Sequence, residues 1–382
     1  MKILHSSDWH IGRQFHNHSL LEDQAHVLKQ IVDYVRTQDV DALVIAGDIY
    51  DRSVPPATAV SLLDDVLNQI CNQLQIPVVL IPGNHDSADR LNFGARQLKQ
   101  AGLYIMGELT KINEPLQLVG KSGIKTNFYG IPYNDPEQIR NLFDCKVSSY
   151  DEAHDYLVQI IKQSMIPDQI NVLISHCFID GSDSSESERP LSIGGADTVS
   201  YEPLTEFNYV ALGHLHGPQF RGREHIRYSG SILKYSFSEQ HHNKVVNLVE
   251  FNSSGVATIK ALPLTPLRNM RILEGEMDSL IEQGKTDPHN QDYLMVRLTD
   301  THAILNAMSQ LREVYPNVLH LEKPGIMASG EQKMMSREQL KRSEIEIFRD
   351  FFRQVSNNVL TRDQDAALEE VLSSLHKKDQ NS

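Results

Sequence analysis

The sequence predicts an α/β fold in which a two-layer β-sandwich flanked by helices precedes a small α+β domain and a C-terminal helical pair. Three observations support this. Short apolar runs alternate with amphipathic segments of helical length from residue 1 to about residue 262, a pattern typical of helices packed on the faces of a sheet. After His216 the pattern is typical of antiparallel strands with turns at Gly230 and Ser254-Gly255, and an α/β core followed by such a β-rich part fits a two-layer sandwich. A Pro-Leu-Thr-Pro stretch at 263–266 then marks a domain boundary.

The first domain, 1–262, contains five short runs of mainly Val, Ile and Leu that predict buried strands. These runs occupy 2–4, 42–45, 78–81, 172–174 and 209–212. Apolar residues at helical spacing predict helices at 20–37, 57–74, 90–100 and 151–164. Further strands are predicted at 226–229, 245–251 and 256–262. The segment 180–197, rich in Ser, Asp and Gly, is interpreted as a solvated loop, although it is also placed to shape the rim of a site.

The rest of the chain divides into a small domain, a linker and two terminal helices. The small domain, 265–323, has predicted strands at 270–273, 294–299 and 318–322 and a predicted helix at 302–314. A linker at 324–336 leads to a helical pair within 337–378, whose helices occupy 337–355 and 363–378. Thr361 and Gln364 have the spacing of a capping box. The apolar stripes of these helices either pack back onto the protein or bind a partner, and we favour the partner.

Composition limits the class of protein. The chain has 382 residues and a formal net charge of −14, which argues against an isolated protein that grips nucleic acid through a broad basic surface. It does not exclude a nucleic-acid enzyme, because bound cations or a partner subunit can supply positive charge. Three cysteines without a CxxC pair, no signal-peptide pattern and no long apolar run predict a cytoplasmic protein.

Polar residues with metal-binding side chains follow each of the five predicted strands. Because ligands in α/β sheets bind at the carboxyl ends of strands, these residues are expected to converge. The seven predicted metal ligands are Asp8, His10, Asp48, Asn84, His176, His214 and His216. Eight other histidines have no such context and receive no role: His5, His16, His18, His26, His154, His225, His241 and His242.

Seven ligands are too many for one ion with an open position, so the sequence predicts two divalent ions that share one carboxylate. Mixed carboxylate, amide and imidazole ligands favour Mn²⁺, with Mg²⁺, Fe²⁺ and Zn²⁺ as alternatives. His85 follows Asn84 directly and is the predicted general acid. Asp51, three residues after Asp48, is predicted to accept the other imidazole N–H of the acid and to fix its tautomer.

These motifs resemble the calcineurin-like metallophosphoesterase family. The matching segments are Asp8-Trp9-His10, the Gly-Asp-Ile-Tyr-Asp-Arg run at 47–52, Gly83-Asn84-His85-Asp86, His176 and Gly213-His214-Leu215-His216. Segments between the motifs, at 19–24, 187–192 and 228–231, are most similar to bacterial nuclease subunits within that family. The resemblance covers roughly residues 1–239.

The resemblance implies a first ion held by Asp8, His10, Asp48 and His216, a second held by Asp48, Asn84, His176 and His214, and a catalytic His85. It also implies Mn²⁺-dependent DNA cleavage in repair and recombination, as a 3′→5′ exonuclease on duplex ends and an endonuclease on single strands and hairpins. The implied partners are a second copy of the chain, through helices at 57–74 and 90–100, and an SMC-like ATPase, in a complex with two copies of each subunit. The domain at 265–323 would cap the site, and the terminal helices would bind the ATPase.

Two other functions remain open from the residues themselves. Metal ligands and a general acid do not select a substrate, so a small-molecule phosphodiesterase or phosphatase on the same fold is the alternative enzyme. A catalytically inert scaffold for the ATPase is the alternative from another class. The complete ligand set weighs against the scaffold, and the terminal apolar helices weigh against the small-molecule enzyme.

Overall fold

The computed structural model divides into two compact units, Met1–Asn269 and Met270–Ser382. It describes residues 1–188, 197–255, 257–302, 304–323, 345, 348–349, 352–353 and 358–379. The predicted linker at 324–336 and most of the predicted helix at 337–355 lie outside the described residues. The same is true of residues 189–196, within the predicted loop.

The first unit is dominated by short strands. In chain order these are β1 (Lys2–Ser6), β2 (Gln14–Phe15), β3 (His18–Ser19), β4 (Ala42–Ala46), β5 (Val78–Ile81), β6 (Leu103–Ile105), β7 (Leu116–Val119), β8 (Lys125–Ile131), β9 (Ile170–His176), β10 (Phe178–Ile179), β11 (Thr198–Val199), β12 (Tyr209–Gly213), β13 (Gln219–Arg221), β14 (Arg223–Tyr228), β15 (Val245–Phe251) and β16 (Ala257–Pro263). All five predicted buried strands form, as β1, β4, β5, β9 and β12.

Twelve of these strands form two six-stranded sheets, so the predicted two-layer sandwich is confirmed. The first sheet has the order β16-β15-β1-β4-β5-β6, and the second has the order β13-β14-β12-β9-β8-β7. Each is parallel at its centre: β1, β4, β5 and β6 run together in the first, and β8, β9, β12 and β14 in the second. Parallel centres bring the carboxyl ends of the strands to one edge of each sheet.

Buried apolar side chains pack in two places: between the two sheets, and between the second sheet and the helices on its outer face. On β9, Val172 and Ile174 pack between the two sheets, whereas Leu173 packs on the outer side with the helix at Tyr150–Ser164. Alternate side chains point to opposite faces of a strand, so a strand covered on both faces needs a continuous apolar run. That requirement explains why the central strands were visible in the sequence.

The four predicted helices of the first unit form with local differences, and a further helix at Pro136–Phe143 was not predicted. In chain order the helices are α1 (Leu21–Thr37), α2 (Ala57–Leu67), α3 (Ala88–Leu91), α4 (Ala95–Leu98), α5 (Pro136–Phe143) and α6 (Tyr150–Ser164). The helix predicted at 57–74 ends as α2 and continues as a π-helical segment, Asn68–Gln73. The helix predicted at 90–100 is divided into α3 and α4, because Gly94 between them adopts a left-handed φ of 76°.

Three strands between 103 and 131 were not predicted. The shortest, β6, has three residues, and β7 alternates half-buried with exposed positions, so neither presents a continuous apolar run. The strand predicted at 226–229 begins earlier, as β14, and it pairs in parallel with β12 rather than only antiparallel with a neighbour.

The second unit contains a three-stranded parallel sheet of β17 (Met270–Gly275), β18 (Tyr293–Leu298) and β19 (Val318–Glu322). Two helices accompany it, α7 (Met277–Gly284), which was not predicted, and α8 (Ala307–Val314). Their buried side chains and those of the sheet form one cluster around Leu294, Val296 and Leu311. The result is a small α+β unit, as the sequence predicted.

The described part of the tail includes a helix, α9 (Arg362–Asp379). The predicted capping box is confirmed: the Gln364 backbone N–H donates to Thr361 Oγ1 (3.4 Å), and the Thr361 N–H donates to Gln364 Oε1 (3.0 Å). Within the described residues, no helix is long and apolar enough to cross a membrane.

Candidate metal centre

The seven predicted ligands gather at one edge of the sandwich. Asp8 and His10 follow β1, Asp48 follows β4, and Asn84 follows β5, which are three neighbouring strands of the first sheet. The other three come from two neighbouring strands of the second sheet: His176 ends β9, and His214 and His216 follow β12. The two sheets therefore contribute to a single cluster.

Glycines allow the two sheets to approach closely at this edge. A Cβ on Gly213 would lie 1.8 Å from the Ala46 carbonyl oxygen, so β12 could not lie beside the end of β4 with any larger residue there. A Cβ on Gly47 would lie 2.3 Å from His176 Nδ1, and Gly47 also has a left-handed φ of 90°.

Four of the predicted ligands are themselves held in the left-handed region of the backbone. Their φ values are 52° for Asp8, 44° for His10, 50° for Asp48 and 105° for His214. Such conformations are unfavourable for residues with a Cβ, and they persist where surrounding contacts impose them, often at functional sites. Here the Asp8 N–H donates to the Gly47 carbonyl (3.1 Å), and the His10 N–H donates to the Asp48 carbonyl (2.9 Å).

One half of the cluster, which we call the first half, consists of Asp8, His10, Asp48 and His216. The Nε2 atoms of His10 and His216 lie 3.1 Å apart, and His10 Nε2 lies 3.6 Å from Asp48 Oδ2. Ligand atoms of Asp8, His10 and His216 all lie within 4.8 Å of one another.

The other half, the second half, consists of Asp48, Asn84, His176 and His214. Asn84 Oδ1 lies 2.9 Å from His176 Nε2 and 3.3 Å from His214 Nδ1. His176 Nε2 also lies 3.6 Å from Asp48 Oδ2. The same carboxylate oxygen of Asp48 is therefore equally distant from one histidine of each half, which is the position a bridging ligand requires.

The donor set fits divalent cations. Asp8 Oδ2 is buried and has no hydrogen-bond partner among the described residues, which is costly for a carboxylate unless a cation satisfies it. The Nε2 atoms of His10 and His216 face each other at 3.1 Å, and His10 Nδ1 has no hydrogen-bond partner among the described residues, so the two imidazoles converge where a cation would lie. Oxygen and imidazole donors with no thiolate among them suit Mn²⁺, Mg²⁺, Fe²⁺ or Zn²⁺.

Burial favours the neutral form of three imidazoles of the cluster, those of His10, His176 and His214. Desolvation holds the pKa of His10, His176 and His214 below the usual range, and neighbouring histidines add to the effect. A neutral imidazole presents the lone pair that a metal ion binds. Burial, with the nearby Asp48 carboxylate, raises the pKa of Asp8 well above its usual value. The protein alone therefore disfavours the ionised form of Asp8, and a bound cation would favour it.

His85 lies beside the first half, and its ring packs edge-on to that of His10 with centroids 4.7 Å apart. Its backbone N–H donates to Asp48 Oδ1 (2.9 Å), and Nδ1 lies 2.8 Å from the Asp51 backbone carbonyl. Since a carbonyl can only accept, Nδ1 carries the proton and Nε2 is left to exchange one.

The Asp51 carboxylate, in contrast, does not make the contact with His85 that was predicted for it. It accepts a hydrogen bond from Arg13 Nη1 (3.0 Å) and lies 3.9 Å from His10 Nδ1. The orienting group for His85 is a backbone atom, which no reading of side-chain types would reveal.

Asp86, the last residue of the Gly83-Asn84-His85-Asp86 motif, connects two loops of the centre. Its carboxylate accepts from the N–H groups of Ile49 (3.0 Å), Tyr50 (2.9 Å) and Gly83 (2.9 Å). Burial, followed by the nearby Asp48 carboxylate, raises the pKa of Asp86 to about 7. It holds the loops after β4 and β5 together behind Asp48.

Four residues behind His216 were missed by the sequence analysis: Ser187, Glu188, Glu239 and Lys244. Ser187 and Glu188 belong to the segment 180–197, which was interpreted as a solvated loop. That interpretation is wrong for its described end, because Ser187 is buried and bonded to His216. Two signals were available: Lys244 is a charged residue directly before the strand β15, and the segment 187–192 resembles bacterial nuclease subunits.

The histidines that received no role include two that the structure places in ordinary internal contacts. His5 contacts the Tyr209 hydroxyl (2.9 Å) and the Leu212 carbonyl (3.2 Å), and His154 contacts the Ser175 hydroxyl (2.9 Å). Burial lowers the pKa of His5 to about 3 and that of His154 to about 4.

The sandwich and the shared-carboxylate cluster together define a metallophosphoesterase. A family model described as calcineurin-like phosphoesterase matches residues 1–218, more than half of the chain. A second model, described as type 5 capsule protein repressor C-terminal domain, matches residues 266–356. The SbcD subunit of the nuclease SbcCD from Staphylococcus epidermidis is 32% identical over 374 residues, covering 98% of this chain and 98% of that protein. The chain therefore belongs to the calcineurin-like phosphoesterase family, and within it to the SbcD subunits.

Solved structures that match part of the chain include a dimetal phosphatase from Danio rerio and a hypothetical protein from Thermus thermophilus. The first has a TM-score of 0.41 and 12% identity, covering 69% of this chain and 98% of that chain. The second has a TM-score of 0.37 and 12% identity, covering 69% and 100%. The family assignment rests on the sequence matches, and it makes the chain a metal-dependent hydrolase.

Proposed function

We propose that this protein is the Mn²⁺-dependent DNA nuclease subunit of a complex with an SbcC-type, SMC-like ATPase. It acts as a 3′→5′ exonuclease on duplex ends and as an endonuclease on single strands and hairpins, in DNA repair, recombination and replication. The observation that carries the proposal is the Asp48 carboxylate oxygen, which lies 3.6 Å from a histidine of each half of a seven-ligand cluster. Its location would be cytoplasmic, at the nucleoid when bound to DNA.

The ligands divide between two ions. Asp8, His10, Asp48 and His216 would hold the first, and Asp48, Asn84, His176 and His214 would hold the second. Two divalent ions bound there would lower the pKa of a water nucleophile and neutralise charge on the phosphoryl oxygens. Mn²⁺ suits the mixed donors, with Mg²⁺, Fe²⁺ or Zn²⁺ as substitutes.

His85 protonates the leaving oxygen in this proposal. Its Nδ1–H is held by the Asp51 carbonyl, so the ring orientation is fixed and the proton that moves is the one on Nε2. Its backbone N–H also binds Asp48 Oδ1, which ties the position of the acid to the shared ligand. Arg13 holds the Asp51 carboxylate, and so steadies the loop that carries the carbonyl.

The proposal that the substrate is DNA is supported by the similarity to the Staphylococcus epidermidis protein. The metal-ligand cluster does not select a substrate. The protein that is similar over 98% of the chain is named as one subunit of a nuclease. The net charge of −14 fits a subunit that relies on its partner for the positively charged surface that binds DNA. DNA binding by the isolated chain that proved tight and steeply salt-dependent would contradict this part of the proposal.

The chain is proposed to use three domains and a linker for these tasks. Residues 1–262 carry the nuclease site, 265–323 cap it, 324–336 form a linker, and the helices at 337–378 bind the ATPase. Deleting 337–382 should abolish ATPase binding and spare metal-dependent hydrolysis of a simple phosphodiester. Retained binding would contradict the assignment of the tail.

A homodimer is proposed through α2 and the α3–α4 region. Large apolar side chains are exposed there: Val60 (44% exposed), Phe93 (86%) and Leu98 (37%). Exposed apolar groups of this size are typical of a protein–protein contact. Phe93→Ser should shift the sedimentation coefficient of the isolated chain towards that of a monomer, whereas an unchanged dimer would place the contact elsewhere.

The test of the function is cleavage of end-labelled duplex and hairpin DNA by the purified chain with Mn²⁺, with and without the ATPase. Duplex shortening from the 3′ end and hairpin opening are expected, and both should vanish with a chelator or in the Asp8→Asn variant. Hydrolysis of bis(4-nitrophenyl) phosphate without DNA cleavage under either condition would favour the small-molecule phosphodiesterase.

A further inference from the structure

A buried ion pair lies behind the first half of the metal centre. Glu239 is fully buried, and its carboxylate binds Lys244 Nζ at 2.5 Å, with Lys244 itself 6% exposed. A buried pair of this kind adds little net stability, because desolvating both charges offsets most of their attraction. Its position next to a predicted ligand indicates another purpose.

The pair holds His216 from both its ring and its backbone. Ser187 Oγ lies 2.6 Å from His216 Nδ1 and also donates to Glu239 Oε1, which lies 3.4 Å from the same Nδ1. Lys244 Nζ donates to the His216 carbonyl at 2.8 Å. Glu188, from the same segment as Ser187, accepts the His216 backbone N–H at 2.8 Å.

The contacts of Ser187 and Glu239 favour one tautomer of the His216 ring. An ionised carboxylate only accepts, so the Ser187 hydroxyl spends its single proton on Glu239. The Ser187 oxygen must then accept from His216, which places a proton on Nδ1 and leaves the Nε2 lone pair free. That lone pair faces His10 Nε2, 3.1 Å away, inside the first half.

We propose that Glu239, Ser187 and Lys244 form a positioning relay that fixes the tautomer and the orientation of His216 for the first ion. The proposal rests on the ligand assignment of the proposed function. A carboxylate that acts through a hydroxyl also raises the basicity of the imidazole Nε2 lone pair, and this strengthens its bond to a cation. Lys244 keeps the relay neutral overall and holds the loop that carries the ligand.

The second half offers an internal comparison. There the His176 Nδ1 lies 2.9 Å from the Ala46 backbone carbonyl, and none of the relay residues contacts it. A change in the relay should therefore affect one ion and spare the other. A purely structural role for the buried pair would not make that distinction.

The experiment is Mn²⁺ titration of the full-length chain by calorimetry, combined with thermal unfolding of the metal-free protein. The wild type should bind two ions, and Glu239→Gln should weaken one of them by about 10–100-fold while leaving the other unchanged. Ser187→Ala should give the same selective loss, and Ser187→Thr, which retains the hydroxyl, should restore binding.

The matched control is Asp23→Asn, which disrupts another largely buried ion pair, with Arg268 at 2.9 Å, away from the relay. It should lower the unfolding temperature and leave both affinities intact. If both relay variants bound the two ions with the same affinities as the wild type, the relay alone would be overturned. It would also be overturned if the variants weakened the binding of both ions equally. Failure of the wild type to bind two ions would instead overturn the proposed function. If Glu239→Gln does not fold, the Ser187→Ala and Ser187→Thr pair decides.

Discussion

The two halves of the metal centre hold their histidines by different means. In the first half, His216 is held by the side chains of Ser187, Glu239 and Lys244, which come from two separate segments. In the second half, His176 is held by the Ala46 carbonyl at the end of the neighbouring strand. One half therefore depends on side chains that substitution can remove, and the other on backbone that the sandwich itself provides.

The halves meet at Asp48, and replacing it tests whether they are one site. Asp48→Asn removes charge from the oxygen that lies 3.6 Å from both His10 and His176, so both ions should bind more weakly. Since partners outside the ligand shell already contribute about 10–100-fold, loss of a shared ligand should lower kcat/KM by roughly 10³-fold or more. The measurement is phosphodiester hydrolysis together with Mn²⁺ stoichiometry. Loss of one ion only would show that the halves do not share Asp48.

Removing His85 should leave both halves loaded and still stop the chemistry. His85→Gln should lower kcat by about 10²–10⁴-fold, the usual contribution of a general acid, with Mn²⁺ stoichiometry unchanged. Its effect should shrink on an ester with a good leaving group, such as 4-nitrophenolate, because that group needs no proton. An equal loss on good and poor leaving groups would contradict the acid role.

The Asp51 carboxylate should matter less than the Asp51 backbone. Asp51→Asn keeps the carbonyl that contacts His85 and removes only the charge beside Arg13 and His10. Rates should fall by about tenfold, the lower end of the range for a partner outside the ligand shell. A loss as large as that of His85→Gln would return the orienting role to the carboxylate.

Replacing His154, which lies behind the second half, should affect stability and not metal binding. Burial lowers the pKa of His154 to about 4, so the folded protein keeps this imidazole neutral while the unfolded chain protonates it near pH 6.5. Its contribution is present above pH 6.5 and is lost as the pH falls towards 4, by about 3 kcal/mol in full. Denaturant unfolding of His154→Gln should therefore show a shallower fall in stability between pH 6.5 and 4. An unchanged slope would mean that His154 does not titrate differently on folding.

The sequence predicted the ligands that lie at the ends of strands. It did not predict the residues that hold those ligands in place. Asp8, Asp48 and His176 were visible because each follows a run that must be apolar on both faces of a sheet. Glu239 and Ser187 follow no such run, and only the fold brings them to His216 over 23 and 29 residues.

Backbone groups escaped prediction for a related reason. The Ala46 and Asp51 carbonyls orient His176 and His85, yet every residue has a carbonyl and no sequence pattern marks one. The π-helical end of the segment predicted at 57–74 was not predicted either. Over so short a length, the same apolar spacing fits an α-helix and a π-helix.

The central claim is that two ions share Asp48, and anomalous diffraction from crystals of the full chain grown with Mn²⁺ tests it most directly. The account predicts two Mn²⁺ peaks on either side of the Asp48 carboxylate, one contacted by His10 and His216 and the other by His176 and His214. A single peak, or two peaks without Asp48 between them, would contradict it.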